Sequence, residues 1–150
     1  MSEVLFYHLT TSPVEATLPG LLEKSLERDW KVCVRSPNAD RLDALDRHLW
    51  TFREDSFLPH GKADDANKEM QPIVLTTEKI NPNGAHLLML LDGAWDEPEV
   101  LKTYDRVCVF FDGNDPEAVQ DARTNWSKLK DADIPLKYWA QENGSWVQKG

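Results

Sequence analysis

Apolar residues in this chain fall into two rhythms: short unbroken runs, and longer segments in which they recur every three or four positions. Val4 to Leu9 is a run of the first kind, followed at once by Thr-Thr-Ser-Pro, so it reads as a strand leading into a helix start. Ser12 and Glu15 have capping-box spacing. Val14, Leu18, Leu21, Leu22 and Leu26 then fall at offsets of 0, 4, 7, 8 and 12, on one helical face. Pro19 lies inside that pattern, where a helix is expected to kink or restart. Lys31 to Arg35 is a second strand. Ala39 to Thr51 is a second helix, with Asn38 as N-cap and Leu42, Leu45, Leu49 and Trp50 toward the core.

Ile73 to Thr76 is a short strand, Asn81-Pro82-Asn83-Gly84 is turn chemistry, and His86 to Leu91 is almost continuously apolar, as a strand covered on both faces must be. A short helix from about Pro98 to Tyr104 precedes the core strand Arg106 to Phe111. Asp115-Pro116 opens a long helix reaching about Lys130. Leu136 to Gln141 and Ser145 to Gln148 flank Asn143-Gly144, a strong hairpin signal. Strand and helix alternating in this way predict an α/β fold, three layers around a mostly parallel central sheet, closed by a C-terminal hairpin. Arg53 to Gln71 lacks clear periodicity and reads as a long surface loop, a length that usually has a task.

The chain is 150 residues long, which predicts one domain over 1–150. Its net formal charge of −9 argues against a surface that grips nucleic acid strongly, because that needs many Lys and Arg against phosphates. Two cysteines make no disulfide framework, no N-terminal stretch resembles a signal peptide, and no apolar run approaches the length of a membrane span. The expectation is a cytoplasmic protein that neither crosses nor binds a membrane.

No phosphate loop, dinucleotide fingerprint, H-E-x-x-H or C-x-x-C is present, and His8, His48, His60 and His86 offer no ligand pair at helical spacing. We therefore expect no metal, no cofactor and no catalytic residue. The alternative is a small metal-dependent hydrolase using Asp92 and Asp112, each followed by Gly after a core strand, where open α/β sheets bind ligands. The plainer reading of both Asp-Gly pairs is strand termination and a turn. Cys33 and Cys108, each flanked by Val within strands, read as small core residues.

Two segments say more. Trp50, Phe52, Phe57, Leu58 and Pro59 stand at a helix end and in the following loop, either folded back on the core or exposed as a docking patch. Ala122 to Ala140 carries Arg123, Lys128, Lys130 and Lys137 against Asp131 and Asp133, a net of +2 that leaves −11 on the rest. With Trp126 three residues after Arg123, this island suits a carboxylate or phosphate, or it is the positive charge that a helix C-terminus favours.

At these segments the chain resembles the chi subunit family of bacterial DNA polymerase III. The resemblance rests on FYHL (Phe6 to Leu9), LPGLLEKSLERDWKVCVR (Leu18 to Arg35), RLDALDRHLW (Arg41 to Trp50), SFLPHG (Ser56 to Gly61), ARTNWSKLK (Ala122 to Lys130) and the Tyr138-Trp139 pair. It implies a Rossmann-like fold and a non-catalytic accessory subunit of the clamp-loader complex in DNA replication, at the replisome on the nucleoid. Implied partners are the acidic, phenylalanine-ended C-terminal tail of single-stranded DNA-binding protein, and the psi subunit, another clamp-loader component or a helicase-like protein. The implied tail site is Arg123, facing the terminal carboxylate, with Trp126, Ser127, Lys128 and Lys130. Ser127 replaces the lysine of some relatives, leaving one cation fewer unless Lys128 or Lys130 compensates. Trp50, Phe57, Leu58 and Pro59 match the surface for psi or a helicase-like partner.

Overall fold

A computed structural model describes residues 2–10, 14–51, 61–62, 71–81, 83–142 and 145–149. Among these, eight strands form one sheet: β1 (Glu3–Leu9), β2 (Val32–Arg35), β3 (Gly61–Lys62), β4 (Ile73–Thr76), β5 (Leu87–Leu90), β6 (Arg106–Asp112), β7 (Leu136–Glu142) and β8 (Ser145–Gln148). Their spatial order is β3-β4-β2-β5-β6-β1-β7-β8. Every pairing is parallel except the β7–β8 hairpin. The helices are α1 (Val14–Glu27), α2 (Ala39–Thr51), α3 (Pro98–Leu101) and α4 (Pro116–Asp131).

Alternation along the strands sorts side chains to two cores. Leu18 and Leu22 of α1 and Leu42, Leu45 and Leu49 of α2 cover one face of the sheet, against Val32, Val34, Ile73, Leu75 and Met89. On the other face, Ala122 and Leu129 of α4 and Leu101 of α3 cover Val4, Phe6, Leu88, Leu90, Val107 and Val109. β5 and β6 feed both cores, which is why their sequences are apolar at nearly every position. The three-layer α/β reading and its C-terminal hairpin hold.

Three local expectations are corrected. α1 runs unbroken through Pro19, with no restart: one helical hydrogen bond is lost at the proline, while the neighbouring buried Leu18 and Leu22 hold both sides of it against the sheet. The segment from Arg53 to Gln71 is not all loop, because Gly61 and Lys62 pair with Val74 and Leu75 as an edge strand. Two residues are too few to show a period in sequence. α3 ends at Leu101 rather than Tyr104, its last turn closing through the Lys102 and Tyr104 N–H groups onto the Pro98 and Leu101 carbonyls. The Ser12 half of the capping box and the Asn143-Gly144 turn lie outside the described residues.

Candidate functional site

α4 begins where the sequence places it: Asp115 accepts a hydrogen bond from the Glu117 N–H (3.0 Å), Pro116 follows, and the far end closes through the Ala132 N–H onto the Lys128 and Leu129 carbonyls and the Asp133 N–H onto that of Lys130. Ala122 and Leu129 turn inward. Trp126, at the edge of that face, is half-buried and meets Phe6 of β1 edge-on at 5.3 Å and Tyr138 of β7 at 5.8 Å. The Tyr138 hydroxyl lies 2.6 Å from His8 Nδ1, and Phe111 stands 5.1 Å from the His8 ring and 6.1 Å from that of Tyr138. Phe6, His8, Phe111, Trp126 and Tyr138 thus form one aromatic cluster, drawn from β1, β6, α4 and β7.

That cluster continues into an apolar strip. Leu136, Tyr138 and Ala140 alternate on the α4 side of β7, all half-buried, and Val147 stands opposite Ala140. Arg123 is exposed beside the strip. Burial raises the Tyr138 phenol above its ordinary range, and the guanidinium of Arg123, three residues before the Trp126 that packs on Tyr138, opposes the rise. Lys130, seven residues on, returns to the same flank of α4. Among the described residues neither cation has an ion-pair partner.

The structure therefore groups Arg123, Trp126, Ser127 and Lys130, and separates Lys128. Lys128 lies about 140° round the helix from Arg123. It lines a cleft of about 850 Å³ at the C-terminal ends of β1, β5 and β6, with Asp92, Asp112, Asp115 and Asp121. Lys137 points to the opposite face of β7, 3.7 Å from Glu3, so the basic island of the sequence is three surfaces. Sequence reasoning missed Tyr138 as a wall of this site, and His8 beneath it. The Tyr138-Trp139 pair carried the family resemblance, but only the parallel pairing of β1 with β7 brings position 8 to position 138.

The two Asp-Gly carboxylates are engaged locally. Arg41 binds Asp92 through Nη2 to Oδ1 and Nε to Oδ2, both at 3.0 Å, and Ser36 Oγ donates to Oδ2 at 2.8 Å. Asp112 Oδ1 accepts the Asn114 N–H at 2.9 Å, an ordinary turn contact. β2 and β5 are neighbours whose following helices cover opposite faces, so their C-terminal crevice is where an open sheet would take a ligand. Here Arg41 and Asp92 line the cleft as an ion pair, so the Asp92 carboxylate is already engaged, which gives the hydrolase alternative no support. Among the described residues no group of three His, Cys, Asp or Glu side chains could hold a metal ion. Cys33 and Cys108 are buried, as read, and burial pushes their thiols up to about 11 and about 12.

Trp50 falls within α2, but its side chain and the whole of Phe57, Leu58 and Pro59 lie outside the described residues. No described helix is long and apolar enough to cross a membrane.

Residues 1–137 match the family model described as DNA polymerase III chi subunit, HolC. A Rickettsia prowazekii (strain Madrid E) protein named probable DNA polymerase III subunit chi is 27% identical over 110 residues, which cover 73% of this chain and 66% of that protein. The DNA polymerase III subunit chi of Pseudomonas aeruginosa is 25% identical over 140 residues, 91% of this chain and 95% of its own length. Matched across nearly all its length, this chain belongs to the DNA polymerase III chi subunit family, accessory subunits of a bacterial DNA-replication enzyme.

Proposed function

We propose that this chain acts as one non-catalytic unit that ties the clamp-loader complex to template coated with single-stranded DNA-binding protein, by seating that protein's acidic C-terminal tail between α4 and β7. The observation that carries this reading is the pairing of two cations, Arg123 and Lys130, that have no ion-pair partner among the described residues, with a half-buried apolar and aromatic strip, on a chain whose net charge is −9. A tail ending in proline and phenylalanine needs an apolar wall. Its terminal carboxylate needs a charge-assisted donor, and its aspartates need diffuse positive charge. Trp126, Tyr138, Leu136 and Ala140 supply the first, Arg123 the second, and Lys130 the third. Lys130 takes the place of the cation that Ser127 does not provide.

The surrounding negative charge repels an acidic peptide at long range, so binding is confined to this flank and weak to moderate in strength. Salt screens the local attraction and the global repulsion together, which leaves a shallow dependence. Calorimetric titration of the chain with a synthetic tail peptide tests the reading: binding that disappears when the terminal phenylalanine is deleted supports it, and indifference to that deletion contradicts it. Trp50, Phe57, Leu58 and Pro59 serve in this proposal as a second docking surface, for psi, another clamp-loader component or a helicase-like protein. The setting is the cytoplasmic replisome, with no cofactor and no strong direct contact to nucleic acid.

A further inference from the structure

Tyr138 is more than an apolar wall, because its hydroxyl is tied to a histidine whose orientation is fixed from the other side. The Cδ2–Nε2 edge of His8 lies over Gly113 so closely that a Cβ there would overlap it. Nδ1 is left facing the Tyr138 oxygen at 2.6 Å. A phenolic hydroxyl has one proton to give and lone pairs to receive with. When the imidazole is neutral with its proton on Nε2, Nδ1 accepts the phenolic proton, and the oxygen offers only lone pairs to anything outside. When Nδ1 is protonated it donates to that oxygen, and the phenolic proton must turn elsewhere.

Among the described residues, the charged and titratable groups around the pair are few. β6 presents Phe111 and Asp112, whose carboxylate accepts from the Asn114 N–H, and Gly113 follows it. β7 presents Tyr138 itself, and α4 presents Arg123, whose charge is felt at the phenol. An anion attracted by Arg123 therefore meets only lone pairs while neutral His8 carries its proton on Nε2, and a hydroxyl that can bond it once Nδ1 is protonated.

We propose that Tyr138 is a further carboxylate-binding residue beside Arg123, and that His8 is the positioning residue whose protonation turns the Tyr138 hydroxyl outward as a donor. The ligand class is a peptide's free terminal carboxylate, and the inference rests on the tail-docking reading above. Affinity then falls as pH rises through the range in which histidines titrate, where the peptide's own carboxylates stay ionised.

Fluorescence anisotropy tests this with the full chain and a labelled acidic peptide ending in Pro-Phe, as free acid or C-terminal amide, at about pH 6 and about pH 8. The free acid binds wild type about fivefold more tightly at the lower pH, the scale of one partly exposed hydrogen bond to a charged group. Tyr138→Phe, which keeps the ring packing, loses about fivefold for the free acid at the lower pH and almost nothing for the amide. His8→Gln, unable to titrate, flattens the pH dependence. Wild-type affinity in Tyr138→Phe, or full pH dependence in His8→Gln, overturns the inference. Arg123→Glu separates the two readings. If it abolishes binding while Tyr138→Phe is silent, docking stands and this inference falls. If it binds like wild type, both fall together.

Discussion

Gly113 shows how much one hydrogen atom in place of a methyl decides. A Cβ at this position meets the His8 ring and, at 2.8 Å, the Leu9 carbonyl oxygen, so Gly113→Ala overpacks the end of β1. We expect a loss of about 1–3 kcal/mol in chemical denaturation. Adding His8→Ala recovers part of it, because the contact with Leu9 remains; no loss in the single variant would contradict the packing. The two buried thiols make a prediction about pH. Their folded values, about 11 for Cys33 and about 12 for Cys108, stand above the ordinary 9.0, so the folded state holds its thiol protons more tightly than the unfolded chain does. Stability is therefore fully present below about pH 9 and declines as pH rises toward those raised values, by a few kcal/mol at most. Urea midpoints measured from neutral to alkaline pH should fall, and the Cys33→Ala, Cys108→Ala double variant should fall less steeply. The Val-Cys-Val settings of these residues were legible from neighbours alone. The partners of Asp92 and of His8 were not, since Arg41 is 51 positions away and Tyr138 is 130.

Periodicity exposed α4 in full, because its N-cap, its Pro116 and its buried Ala122 and Leu129 are all local signals. The helix then separates the cations that charge counting lumped together, with Lys130 on the flank of Arg123 and Lys128 over the cleft. Lys130→Glu should weaken tail-peptide binding several-fold, while Lys128→Glu, over the cleft, should change it less than twofold, since an exposed charge at a distance is largely screened. Equal effects would mean that diffuse charge, not the α4–β7 groove, attracts the peptide. β3 escaped detection for the opposite reason: its pairing is supplied by the open edge of β4 rather than by its own two residues. α1 shows the tertiary environment overriding a local rule, with Pro19 carried inside a helix pinned by Leu18 and Leu22.

At the scale of the whole molecule, the proposed tail site lies on α4 and β7, whereas Trp50 of the second proposed surface belongs to α2. Trp50→Ala and Phe57→Ala should therefore reduce capture of a clamp-loader or helicase-like partner while leaving tail-peptide affinity and the thermal melt nearly unchanged. Truncating such aromatic anchors commonly removes about 2 kcal/mol or more of binding. A large fall in melting temperature without a binding defect would assign these residues to the core. The family resemblance was legible end to end in FYHL, SFLPHG and ARTNWSKLK, whereas the aromatic cluster beneath the groove needed the fold, because the β1–β7 pairing is what brings Phe6 and His8 to Tyr138. The central claim is that this acidic chain holds an acidic tail through Arg123. Isothermal titration of the tail peptide into wild type and Arg123→Glu at one ionic strength tests it most directly: the account predicts measurable wild-type binding weakened in the variant by at least about 1.5 kcal/mol, and equal affinity in both would contradict it.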